Sequence, residues 1–124
     1  MNKEELIELI DSLNISKEDF TILSSGALVI RGIIDKAGDL DIAVTKKGLS
    51  ELNDKYNLIP KENGWYKVND NIDCIQDDMI NKKEKVEGYY LQDINMYLEH
   101  MEASKKEKYK SRISIVKEYI KNKK

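Results

Sequence analysis

Cysteine, histidine, proline and tryptophan occur once each in this chain of 124 residues, and each scarcity removes a class of chemistry. The lone cysteine, Cys74, excludes an internal disulfide framework. The lone histidine, His100, excludes multi-histidine centres and Cys/His zinc sites. A metal ion here would have to be held by carboxylates, the donors of hard cations such as Mg²⁺ or Mn²⁺. The chain also lacks a basic excess: 21 Lys and Arg face 23 Asp and Glu, a formal net charge of -2. That balance argues against a general nucleic-acid or membrane-surface binder. No apolar run approaches the ~18 residues of a membrane span. The start, Met1-Asn2-Lys3-Glu4-Glu5, carries acids where a signal peptide has a basic residue and an apolar stretch, so a cytoplasmic protein with no membrane contact is expected. There is no internal repeat and no Pro- or Gly-rich linker, and the length suits one domain over residues 1–124.

What is present is an alternation of helical and strand patterns. Leu6, Ile7, Leu9, Ile10 and Leu13 recur at helical spacing and predict a helix over 3–13, with Asn2 or a neighbour as its cap. Phe20–Leu23 reads as a strand and Ser24-Ser25-Gly26 as a small polar turn. Ala27–Ile34 follows as a helix, ended by the Asp35-Lys36-Ala37-Gly38 loop. Asp39–Val44 alternates like a strand, Thr45–Gly48 reads as a charged loop, and Leu49–Tyr56 as a short helix. Trp65–Val68 and Ile72–Ile75 flank Asn69-Asp70-Asn71 as a hairpin. From Asp78 strand signals fade. Leu91, Ile94, Tyr97, Leu98 and Met101 share one helical face, and Ile113, Val116 and Ile120 another. The expected fold is therefore α/β in the α+β sense: a small mixed sheet flanked by helices, with a core over about 15–80 and C-terminal helices over about 81–120.

Asp39-Leu40-Asp41 is the sharpest chemical feature. Alternate strand residues share a face, so both carboxylates project together, their Cα atoms roughly 6.5–7 Å apart. Close carboxylates repel, and a cation between them removes the conflict. The ordinary alternative is an edge strand with acids in water. Asp73, set among Ile72, Cys74 and Ile75, is a further carboxylate that needs a partner or a site; its alternative is a half-exposed strand. Ser24-Ser25-Gly26 sits where a strand runs into a helix, a junction that lets phosphate approach backbone N–H groups, or simply a helix cap. Competing motifs fail. No Walker loop or Gly-x-Ser-x-Gly occurs, and Asn69-x-Asn71-x-Asp73 has Cys74 where a calcium loop needs glycine. Trp65, Tyr66, Tyr89 and Tyr90 read as core and edge packing, and the lysines of 105–110 as a solvated helix face.

Ser24-Ser25-Gly26-Ala27-Leu28-Val29-Ile30-Arg31 followed by Lys36-Ala37-Gly38-Asp39-Leu40-Asp41-Ile42 resembles the signature of the nucleotidyltransferase superfamily typified by DNA polymerase β. The nearest version is the small bacterial and phage branch, with the nucleotidyltransferase-like toxins of abortive-infection systems and the antibiotic nucleotidyltransferases. The resemblance covers roughly residues 20–80. Ser24 and Ser25 take the positions of the family's paired glycines, and Ala37 that of its usual Ser or Thr. It implies a minimal nucleotidyltransferase fold in which Asp39, Asp41 and Asp73 are the catalytic and metal-binding acids. It further implies that Ser24, Ser25, Gly26, Arg31 and Lys36 contact the nucleotide, that Mg²⁺ or Mn²⁺ is the cofactor, and that an NTP is the substrate. An NMP would pass to a hydroxyl of an acceptor, which is a small molecule, a protein or an RNA end. The alternative is a weakly active or inactive module of the same fold, antitoxin-like or a phage regulator, binding a protein partner through the 89–101 helical face.

Overall fold

The computed structural model describes residues 1–80 and 83–123. Among them, five helices and a seven-stranded mixed sheet follow the order α1 (Lys3–Ser12), β1 (Phe20–Ile22), α2 (Ser24–Ile30), β2 (Leu40–Val44), α3 (Lys46–Tyr56), β3 (Ile59–Pro60), β4 (Trp65–Asn69), β5 (Ile72–Gln76), β6 (Lys83–Val86), β7 (Tyr89–Gln92), α4 (Ile94–Ser104) and α5 (Lys110–Lys123). The strand order is β3-β4-β5-β2-β1-β7-β6. β2 and β5 run parallel, as do β1 and β7; the other pairings are antiparallel. This is the expected mixed α/β architecture with a helical C-terminus.

Local chemistry explains the element ends. Asn2 Oδ1 accepts from the Glu5 N–H while Glu5 Oε1 accepts from the Asn2 N–H, a capping box that starts α1. α2 was expected to run to Ile34 but stops at Ile30. Gly32, at φ +79°, and Ile33 donate to the carbonyls of Val29 and Leu28, a Schellman ending that the helical apolar spacing conceals. α3 begins at Lys46, inside the expected loop, because the Thr45 hydroxyl oxygen caps the Gly48 N–H.

The core forms on one face of the sheet. Leu6 and Ile10 of α1, Val29 and Ile30 of α2 and Leu52 of α3 pack against Leu40, Ile42 and Val44 of β2 and Ile72 and Cys74 of β5. Leu28, on the other side of α2, joins a second cluster with Ile94, Tyr97, Met101, Tyr109 and Val116, which attaches the helical tail. Gly26 lies where α2 crosses the sheet: a Cβ there would stand 3.1 Å from Ile22 and 3.2 Å from Leu40, so its packing, not its freedom, is what the site needs.

The reading of residues beyond Asp78 as purely helical is overturned. Lys83–Val86 and Tyr89–Gln92 form a hairpin turned by Glu87 and Gly88, both at positive φ. Leu91 therefore belongs to a strand, and the helical face proposed over 89–101 does not exist. Tyr89 is buried on β7, with its hydroxyl donating to Asp11 at 2.7 Å, and Tyr97 and Met101 are buried in the second cluster. The division into a core over 15–80 and a tail from 81 moves accordingly, because the sheet continues to Gln92. The expectations that touch residues 81 and 82 lie outside the described residues.

Candidate functional site

Alternation along β2 and β5 decides which side chains leave the core. Leu40, Ile42 and Val44 are buried, and so are Ile72 and Cys74, so Asp41 and Asp73 emerge on the opposite face. The parallel pairing of β2 with β5 sets Asp41 directly beside Asp73 in register. β1 runs antiparallel to β2, and the Leu23 N–H donates to the Asp41 carbonyl at 2.9 Å. The Ser24 turn therefore lies at the same end of the strands as Asp41.

A cleft of about 460 Å³ opens there, lined by Asp41, Lys61, Glu62, Trp65 and Asp73. Lys61 Nζ donates to Asp73 Oδ2 at 2.7 Å. Burial raises the Asp41 carboxyl above the ordinary carboxylate value, and the charges of Asp73 and Asp39 raise it further; Lys61 and Lys108 oppose them. Lys108, on the turn between α4 and α5, acts on Asp41 as a longer-range positive charge. Tyr97 of α4 also feels the site. Its phenol is raised chiefly by burial, with Asp41 a smaller contributor, and it accepts from Arg112 Nη1 at 3.2 Å.

The expected site residues separate into groups. Asp41 and Asp73 come together. Asp39 is exposed on the bend before β2 and does not line the cleft, though its charge reaches Asp41. Among the described residues, no group of three or more His, Cys, Asp or Glu side chains stands in metal-holding geometry. The donor set nevertheless suits Mg²⁺, which commonly takes one or two carboxylates and completes its shell with substrate phosphates and water. The repulsion raising Asp41 is what such a cation relieves.

Ser24 opens α2 in the left-handed region, at φ +53°, with its N–H donating to Gln92 Oε1 at 3.0 Å. Gly26 is buried under the sheet contact described above. Arg31 is at the far end of the seven-residue α2, about 10 Å along its axis from the turn. Its side chain is only 2 % exposed, and Nε and Nη2 donate to Glu84 Oε1 of β6 at 3.0 and 2.8 Å. Arg31 therefore ties α2 to the sheet edge and is not offered to a nucleotide. Lys36 is exposed in the loop before β2 and does not line the cleft. Lys61, Glu62, Lys108 and the Tyr97–Arg112 pair were not anticipated. Lys61 and Glu62 come to the cleft from the sheet-edge side, Lys108 and Tyr97 are linked to Asp41 by charge alone, and no local spacing encodes that. Trp65 was read as packing; alternation with the buried Val68 puts it, half-exposed, on the cleft side.

Left-handed backbone disfavours any residue with a Cβ, and Ser24 carries one at φ +53°. Ser24→Gly is accordingly expected to raise stability by about 1 kcal/mol, read as a higher urea midpoint at unchanged slope. A fall in midpoint would mean that the serine side chain contributes more than the strain costs.

No protein family, curated protein or solved structure matches the chain. Among the described residues, no helix is long and apolar enough to cross a membrane.

Proposed function

We propose that this chain is a metal-dependent nucleotidyltransferase, passing the NMP of an NTP to an acceptor hydroxyl and releasing pyrophosphate in the cytoplasm. The observation that carries this reading is the in-register Asp41–Asp73 pair on central strands, at the strand ends next to the Ser24 turn and at the mouth of a cleft. When bound, a divalent cation supplies charge neutralisation for the triphosphate and acidifies the attacking hydroxyl. Asp41 and Asp73 would hold it, with Asp39 adding negative charge from the bend. Asp41, raised by burial and by its neighbours, takes a proton more readily than an ordinary carboxylate until a cation ionises it fully. In this reading Asp73 would also accept the hydroxyl proton. The Ser24-Ser25 turn at the start of α2 would meet the triphosphate in this reading. Catalysis here is positioning plus charge stabilisation.

The second reading is a binding module of the same fold that acts through a protein partner. Two observations favour it: Lys61 already neutralises Asp73, and Arg31 is committed to Glu84. Residue-resolved NMR separates the two readings. Mn²⁺ titrated with and without each NTP should broaden amides at Ser24, Ser25, Asp41 and Asp73, more strongly when nucleotide is present. No broadening there with any of the four NTPs at millimolar concentration would transfer the conclusion to the binding module.

A further inference from the structure

Lys61 follows a two-residue edge strand, and its own N–H donates to the Trp65 carbonyl at 2.8 Å, so its Cα is fixed against β4. The side chain beyond is 47 % exposed and extends to Asp73 Oδ2 at 2.7 Å. A second lysine, Lys67, lies opposite Asp73 across the β4–β5 ladder, yet its ammonium pairs with Asp70 at 3.3 Å. Lys108 acts on Asp41 through charge alone. Lys61 is thus the one cation hydrogen-bonded to the acid pair among the described residues, and its charge also reaches Asp41 and Asp39.

From this we infer that Lys61 is the built-in counter-ion of the Asp41–Asp73 pair, and that a divalent cation loads by displacing its ammonium from Asp73. The inference rests on the reading of that pair as the cation site. An ammonium and a divalent ion repel, so a cation binding at the Asp73 carboxylate works against the Lys61 ammonium on its Oδ2. The ion has the advantage of engaging two carboxylates at once, whereas Lys61 bonds to one. Once displaced, the ammonium remains tethered at the cleft wall, where an anionic group such as a polyphosphate becomes its next partner. Lys61 therefore holds the cation-free site together, disfavours a cation arriving alone, and favours one arriving with an anion.

Mn²⁺ alone is the probe, followed by free-Mn²⁺ electron paramagnetic resonance and by fluorescence of Trp65, the single tryptophan of the chain and a lining residue of the same cleft. Lys61→Met should bind Mn²⁺ up to about fivefold more tightly than the parent, the span expected for release of a solvent-accessible ion pair. Lys61→Arg, which keeps a charged donor, should stay at or below parent affinity. Parent-like or weaker binding by Lys61→Met, with Mn²⁺ broadening still centred on Asp41 and Asp73, would overturn the displacement while leaving the cation site standing. Absence of Mn²⁺ binding at those residues in all three proteins would overturn the cation site and the inference together.

Discussion

Replacing Glu84 by alanine is expected to destabilise the chain by about 2 kcal/mol, between the cost of losing a surface pair and that of breaking a fully buried one. The loss arises at Arg31. Its guanidinium keeps its charge at all accessible pH values and is almost wholly buried, and both of its hydrogen bonds end on one oxygen of Glu84. Without the carboxylate, a charge remains where water reaches poorly. Glu84 itself is 42 % exposed, so the complementary change, Arg31→Met, leaves a carboxylate that is not confined to the protein interior and should cost less. The double variant should regain most of the Glu84→Ala loss, because it removes the orphaned charge. Urea unfolding of the four proteins measures this cycle. A single-variant loss below about 1 kcal/mol would mean that Arg31 finds another acceptor, and the tie between α2 and β6 would then be worth no more than a surface pair.

The same pair shows where the sequence stops being informative. The periodicity of residues 24–31 marks a helix, but nothing local to Arg31 names a partner 53 positions later. That partner sits on a strand with little strand character in its composition. Lys83-Glu84-Lys85-Val86 is mostly charged, and its turn is Glu-Gly instead of the Asn-Gly or Asp-Gly that marks a tight hairpin. β6 is stabilised by its pairing with β7 and by lysines 83 and 85 over the Tyr90 ring, contacts that exist only after folding.

The acids were legible for the opposite reason. Strand alternation is a local rule, and in 40–44 and 72–75 it assigns Asp41 and Asp73 to the face away from the core without reference to any partner. Asp39 escapes the rule because β2 begins one residue later, at Leu40, so its place on the face was an extrapolation of the strand. The parallel register that sets Asp41 beside Asp73 is a tertiary fact, as is the arrival of Lys61 and Lys108.

Asp41→Asn should abolish divalent-dependent NTP binding and, at neutral pH, raise the melting temperature of the ligand-free protein. The carboxyl of Asp41 is raised above its unfolded value of 3.8, first by burial and then by Asp73 and Asp39. Above the folded value, the native state holds an ionised group that it disfavours, and stability is lower for it. As pH falls through the folded value the native state takes up a proton before the unfolded chain does, so the penalty shrinks; below 3.8 both states are protonated and it is gone. Asparagine keeps the shape without the charge. The melting-temperature advantage of the variant should therefore be largest at neutral pH and close as pH falls toward 3.8. Adding Mg²⁺ at neutral pH should close it from the other side, by stabilising the parent alone. Thermal melts of both proteins across pH, with and without Mg²⁺, test each arm. A variant that melts below the parent at neutral pH would show that Asp41 gains more from Lys61 and Lys108 than it loses to burial and to its two acidic neighbours. An Mg²⁺ response that survives in the variant would remove Asp41 from the cation site.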